Sequence, residues 1–463
     1  MTPPRHRSHT PRGNAIPDAP RSPQPRRSWH WLPLLLALAL PTQAAAPPPD
    51  ALPQAIDLGQ LLRIAREHSP RYAAARTRVD AAQAEVVGAG VLPNPRVTYG
   101  TFQLSSRNNT MYDGKSQENL LVEVPVLIAG QRGARVEAAE KKVEATAAGV
   151  EAEFAGLLRE AWGLFLKLQA GRERVDILDE AARDMDHLRA LVAGREMAGS
   201  ASPYDLLKIG VETKNVETRL ENARTEQTAT AGEIGILLGL PGWRPEALGE
   251  PGPLGVPDDP RQLWTSAEEK NPELETMRRE EIAAEADIER ARRERWPTPT
   301  LQAGTAYTDK PYGMTPYVGI AVELPIFDRG QGGLARAEAE KRRVQAERDF
   351  VASRTRVELE RATELLKRRR AARDRFEREV LAHLPDLKQM AENSYRLGQG
   401  TLLELLDASR SRTDIRLSHL ELIQAETEAE LDALKASGLL VGVLEGVAAG
   451  KAGAVRPLEL RSK

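Results

Sequence analysis

Between Arg132 and about Val192 the chain runs without proline, and its apolar residues recur in alternating fours and threes. Val150, Phe154, Leu157, Ala161, Leu164, Leu168, Val175, Leu178, Ala182 and Met185 lie on that stripe. A period of about 3.5 residues marks a coiled-coil-like seam, not the broader face of a globular helix. Sixty-odd helical residues at 1.5 Å each would reach roughly 90–100 Å. After Gly194–Ser202 the chain turns at Ser202-Pro203, and a helix returns to about Leu240. The plan then recurs. A long helix is predicted from about Gly332 to Arg396, then a turn at Gly398-Gln399-Gly400 and a returning helix from Thr401 to Ser437. There Leu403, Leu406, Leu417, Leu420, Leu431 and Leu434 share one three/four phase. Pro385 lies inside the second long helix and predicts a kink or a local end.

A period of two interrupts these helices. Residues 96–103 and 119–126, and later 300–308 and 317–324, read as two strand pairs with polar tips between the strands. Val318, Ile320, Val322 and Leu324 point one way, while Tyr317, Gly319, Ala321 and Glu323 point the other. One apolar face fits lipid outside and water inside a barrel. It fits a soluble sheet with one packed face equally well. The long helical arms attached to the strands favour the barrel.

The strand pairs belong to an internal repeat, which settles the domain plan. LPNPRVTYG at 92–100 returns as WPTPTLQAG at 296–304, and EVPVLIAGQRGARVEAAE at 123–140 returns as ELPIFDRGQGGLARAEAE at 323–340. Ser69-Pro70 and Asn271-Pro272, each a cap followed by a first-turn proline, open matching shorter helices. The sequence therefore divides into a targeting segment (1–46), a linker (47–56), a first repeat (57–240), a Pro- and Gly-dense linker (241–260), a second repeat (261–437) and a tail (438–463). Two strands alone would leave open edges in lipid, and four are too few to enclose water. A barrel must then be shared among several copies.

Composition narrows the function. Aromatics make up only 4% of the chain, and there is no Cys, so disulfides and thiolate metal sites are excluded. Six Arg precede an apolar run from Trp29 to Leu40 and then small residues, the pattern of a cleaved secretory signal peptide. Without residues 1–46 the 65 basic side chains fall to 59 and the 67 acidic to 66, a balance of −7 that does not suit nucleic acid. The seven His form no H-x₃-H spacing. No nucleophile or phosphate loop is legible, so neither an enzyme nor a cofactor is expected. Lys367-Arg368-Arg369-Arg370 reads as a solvated helix face, and Gly330–Gly333 as a strand-to-helix turn.

In its duplicated order and in the wording of LPNP and LPIFDRGQG, the chain resembles the TolC family of outer-membrane efflux ducts over residues 57–437. Within it, the sequence looks most like the CzcC-like cobalt-zinc-cadmium resistance branch. The resemblance implies a mainly α fold with membrane β. Three copies would share a twelve-stranded outer-membrane barrel continuous with a periplasmic α-helical barrel. It also implies a passive, non-enzymatic duct that works with a periplasmic adaptor and an inner-membrane pump of the RND type, with outer-membrane lipid around the barrel. Metal export is the first expectation. Drug efflux and type I protein secretion remain open, as does a periplasmic adaptor, although an adaptor carries one hairpin and this chain has two.

The same resemblance assigns residues. Glu404 and Asp407, in Thr401–Ala408, match acids that project into the tunnel mouth, where three copies would concentrate negative field. Acids in a first helical turn also stabilise the helix dipole unaided. Asp205 falls at the matching place in the first repeat and corresponds to an acid bonded to a Tyr on the other hairpin, here Tyr395. Gly400 stands where the family prototype has a basic residue, so a single gate hydrogen bond is expected. Gly398 and Gly400 are expected to supply positive φ at the tip. Leu397 and Leu402 are candidate contacts for an adaptor, or simply interhelical packing.

Overall fold

The structure, a computed structural model, describes residues 52–103, 116–308 and 313–443. The expected signal peptide, most of the strand-pair tips and the end of the tail lie outside those residues. In the first repeat a short strand β1 (Ala55–Ile56) precedes helices α1 (Leu58–His68) and α2 (Pro70–Gly90), then strands β2 (Arg96–Gln103) and β3 (Ser116–Pro125). The long helix α3 (Gln131–Met197) and its return α4 (Pro203–Leu237) follow. After β4 (Glu246–Ala247), the second repeat brings α5 (Pro260–Lys270), α6 (Pro272–Glu294), β5 (Thr300–Thr308) and β6 (Gly313–Ala321). It closes with α7 (Gln331–Glu379), a 3₁₀ turn at Leu381–His383, α8 (Leu384–Arg396) and α9 (Leu402–Ala436). Among the described residues no helix is long and apolar enough to cross a membrane.

Local chemistry is copied between the halves. Ser69 caps α2 and Asn271 caps α6, each followed by a first-turn proline. Gly130 and Gly330 sit at φ 72° and 68° immediately before the long helices, a conformation that favours glycine. The following Gln131 and Gln331 each turn their side-chain oxygen back to accept a backbone N–H, from Ala129 at 2.9 Å and Arg329 at 2.7 Å. These turns begin both long helices shortly after the strands, the strand-to-helix turn expected at Gly330–Gly333.

The four long strands form one antiparallel sheet in the order β2-β3-β5-β6, with β2 and β6 as free edges. Its register sorts the side chains. Val97, Val122, Ala303 and Val318 align in one row, and Val124, Leu301 and Ile320 in another on the same face. That face is apolar yet open: Val318 is 86% exposed and Ile320 69%. The opposite face carries Arg96, Glu123, Gln302 and Gly319 in one row, with Gln302 donating to Glu123 at 2.8 Å and Tyr317 donating to Gln302 at 3.0 Å. An exposed apolar face backed by a hydrogen-bonded polar one is not the soluble alternative, in which the apolar face would be packed.

Some boundaries differ from expectation. The second strands start earlier, at Ser116 and Gly313 instead of 119 and 317, and β6 ends at Ala321, before Val322, Leu324 and Pro325. The two segments read as linkers are partly structured. Ala55–Ile56 and Glu246–Ala247 pair as a short parallel ladder, and Trp243 is buried with its ring N–H donating to the Pro53 carbonyl at 3.2 Å. Trp243 and Ile56 supply the buried apolar surface that a solvated linker would lack.

The main core gathers at the waist, where Phe154, Leu157 and Trp162 of α3 meet Leu359 and Leu366 of α7 and Leu431 and Leu434 of α9. Each such side chain contributes roughly 1.5–3 kcal/mol by leaving water. The clamp beneath it is polar. Glu430, fully buried, accepts backbone N–H groups from Leu254, Gly255 and Val256, and the Arg370 guanidinium at 3.0 Å. Glu426, one turn away and equally buried, accepts from Arg370 at 3.2 Å, while Arg373 Nε lies 3.2 Å from its other oxygen. Arg370 is therefore not part of a solvated face. It pairs with two buried acids, of which Glu430 fastens the inter-repeat segment to α9.

Candidate functional site

The candidate residues converge where the two helical hairpins end. At the first tip α3 finishes with Gly199 at φ 70°, whose N–H bonds to the Glu196 carbonyl at 2.9 Å, while Ser200 N–H bonds to Arg195 at 2.7 Å. At the second, Gly398 sits at φ 77° and bonds to Tyr395 at 3.1 Å, while Gln399 bonds to Ser394 at 3.0 Å. Both are left-handed helix ends, and both lead into capping boxes. Ser202 and Asp205 exchange hydrogen bonds at the start of α4, as Thr401 and Glu404 do at the start of α9.

This local chemistry revises several expectations. Asp205 spends one carboxylate oxygen on the Ser202 amide at 2.9 Å and hydroxyl at 2.8 Å. These bonds hold its carboxyl below the usual range. Among the described residues no hydrogen bond joins Asp205 to Tyr395, so the anticipated gate bond is absent. Gly400 is not in the left-handed region. A Cβ there would stand 2.8 Å from Ser394 Oγ, a hydroxyl that can turn aside. Leu402 is buried with Tyr395, Leu406, Ile209 and Val192 in a tip core, so it is not a surface contact. Position 403 takes that place: Leu403 is 58% exposed and Leu397 71%. Glu404 and Asp407 are exposed on α9, with Glu404 accepting the Thr401 amide at 2.8 Å.

One residue the sequence did not single out ties the two tips together. Arg195, in the last turn of α3, donates to the Tyr395 carbonyl at 2.6 Å, and its guanidinium carbon lies 4.5 Å from the Tyr395 ring centroid. Burial pushes the Tyr395 phenol up, against the pull of Arg195, and Asp205 adds to the rise. Two turns or more above the tips, Asp184 of α3 accepts from Lys388 of α8 at 2.9 Å and from Arg412 of α9 at 2.6 Å. Glu180 takes Arg412 and Arg416. Burial alone would raise the Glu180 carboxyl, but the Arg416 and Arg412 guanidiniums hold it at about 2. Among the described residues no group of three His, Asp or Glu side chains is placed to hold a metal ion.

Comparison with known proteins agrees with this architecture. The sequence matches the family described as outer membrane efflux protein over residues 61–240 and 263–438, one stretch in each repeat. The chain belongs to the outer membrane efflux protein family. It is thus an efflux channel subunit of the outer membrane and not an enzyme. It is 27% identical over 387 residues to the cobalt-zinc-cadmium resistance protein CzcC of Cupriavidus metallidurans, covering 82% of this chain and 87% of that one. It is 26% identical to the pyoverdine export outer membrane protein OpmQ of Pseudomonas putida, over 82% of this chain and 86% of the other. Among solved structures, CusC superposes with a TM-score of 0.67 at 19% identity, over 83% of this chain and 93% of its own. The outer membrane protein VceC of Vibrio cholerae gives 0.65 at 19%, over 82% and 96%. These likenesses establish the TolC-type fold of this efflux family member.

Proposed function

We propose that three copies of this chain form a passive duct that carries heavy-metal cations out of the cell. The observation that carries this reading is the four-stranded sheet with two free edges, one open apolar face and one polar face, mounted on long helical hairpins. Edge strands in lipid must find partners. The β2 edge of one copy would pair with the β6 edge of the next, closing twelve strands around water. The hairpins would extend the passage through the periplasm, with a signal peptide directing export of the chain. An adaptor would dock at the tips, around Gly398, Leu397 and the exposed Leu403, and an RND-type inner-membrane pump would supply the energy. Exposed Glu404 and Asp407 from three copies would ring the entrance with negative charge, which favours cations.

Metal cargo is supported by similarity to a cobalt-zinc-cadmium resistance protein, while the comparable similarity to a pyoverdine exporter supports a second reading, export of a siderophore. Deleting the gene and measuring growth on graded cobalt, zinc and cadmium, alongside siderophores and hydrophobic drugs, separates these. Sensitisation to divalent metals alone is expected. Sensitivity confined to organic compounds would replace the metal reading. Recovery of the protein as a soluble monomer, not a detergent-extracted trimer, would remove the duct itself.

A further inference from the structure

We propose that Arg195 is the latch of the periplasmic entrance, a positioning residue that closes the tips in place of a Tyr–Asp hydrogen bond. The proposal rests on the duct reading above and names its closing contact. Its observation is one guanidinium serving two helix ends. Arg195 Nη1 donates to the Tyr395 carbonyl at the end of α8 at 2.6 Å, and Nη2 reaches the Ser200 carbonyl beyond α3 at 3.4 Å. Both carbonyls lie at the negative ends of helix dipoles, where a fixed positive charge is favoured. The flat face of the same guanidinium covers the Tyr395 ring at 4.5 Å, a cation–π contact made in the partly dry tip core.

The alternative closing bond, from Tyr395 to Asp205, is not made among the described residues. Asp205 Oδ2 takes the Ser202 amide and hydroxyl, which orients the carboxylate as the cap that starts α4, and neither of its oxygens is bonded to Tyr395 among those residues. Tyr395 meanwhile is only 4% exposed, packed among Val192, Ile209, Leu402 and Leu406. Its ring and its carbonyl make the contact with Arg195, and its hydroxyl does not. The cross-hairpin ion pairs of Asp184 and Glu180 lie 11 and 15 residues back along α3, roughly 16–22 Å from the tip. They hold the arms together farther back, so that at the last turns Arg195 is the charged contact added to the apolar tip core. A lysine cannot reproduce the arrangement, because one ammonium offers no planar fork to span two carbonyls while lying flat on a ring.

The test is single-channel recording of the purified full-length trimer in planar bilayers, with trimer thermal stability measured alongside. Arg195→Ala is expected to raise open probability roughly ten-fold, the consequence of losing a charged hydrogen bond. Arg195→Lys should fall between Ala and wild type, and Tyr395→Phe should stay within about two-fold of wild type because ring and carbonyl remain. Trimer stability should be unchanged in all three. Arg195→Gln, closer in shape, takes the place of the alanine variant if that one does not assemble. Unchanged gating without the guanidinium overturns the proposal, as does opening by Tyr395→Phe to the level of Arg195→Ala. A wild-type protein that forms no channel fails at the earlier step and overturns the duct reading together with the latch.

Discussion

The two helical hairpins come from one duplicated plan, yet one arm is a continuous rod and the other is jointed. α3 runs 67 residues unbroken, whereas the matching stretch is split into the 49 residues of α7, a three-residue 3₁₀ turn and the 13 residues of α8. Pro385 is the cause. It lacks the N–H needed by the helix, and its ring collides with the carbonyl four residues back, while the first repeat has Asp186 at that place. The joint is braced from outside, by Lys388 on Asp184 just beyond the break. An arm that has lost its own hydrogen bonds is held in line by its unbroken neighbour, so the rigidity of one repeat substitutes for that of the other.

The largest expected effect tests whether both arms share a root. Glu430→Ala strands three backbone amides and Arg370, and should cost about 3–5 kcal/mol in denaturant unfolding of the detergent-solubilised protein. A loss confined to one hairpin would separate the arms energetically. Acid sharpens the contrast between that waist and the arms. Glu180, held at about 2 against an ordinary 4.5, contributes its stability in full above about pH 4.5 and loses it as pH falls toward 2. At Glu426 burial, with the neighbouring Glu430 adding, outweighs Arg370 and Arg373 and raises the carboxyl, so mild acidification below the raised value stabilises the waist. Unfolding followed by pH with Glu180→Gln and Glu426→Gln should show these opposite slopes. The same slope for both would contradict the assignment.

Amide hydrogen exchange compares the arms directly. Amides at 381–384 should exchange roughly ten-fold or more faster than those at 182–185, and equal protection would mean the joint is as stiff as the rod. Smallest and symmetric are the caps. Ser202→Ala and Thr401→Ala should each cost about 1 kcal/mol, because the two boxes are built alike, and unequal losses in thermal unfolding would show that the tips have diverged.

What a linear pattern encodes was legible. Period-two and heptad-like spacing gave the strands and arms, Pro385 gave the break, and Gly330–Gly333 gave the turn into the second long helix. Seven of the ten stripe residues named on α3 are fully buried, and Leu164, Val175 and Ala182 are partly so. Contacts between distant segments were not legible. Leu403 shares the phase of Leu406 but faces outward, because the tip core is entered by Leu402 and Leu405 at the start of α9. Arg195 sits opposite Ser394 in the repeat, so duplication drew no attention to it. Its partner is 200 residues away. Glu430 lies among charges that look solvated until the inter-repeat segment folds onto them.

The sheet's two bare edges carry a consequence for biogenesis. The waist core and the clamp are made within one chain, so a single copy needs no second copy for these contacts of its helical body. It cannot satisfy β2 and β6, and it shows an oily face to water. Such a copy is a template for wrong pairings until it meets its sisters. Insertion of the sheet and pairing of its edges are therefore best coupled, because each removes a surface that the rest of the molecule does not cover.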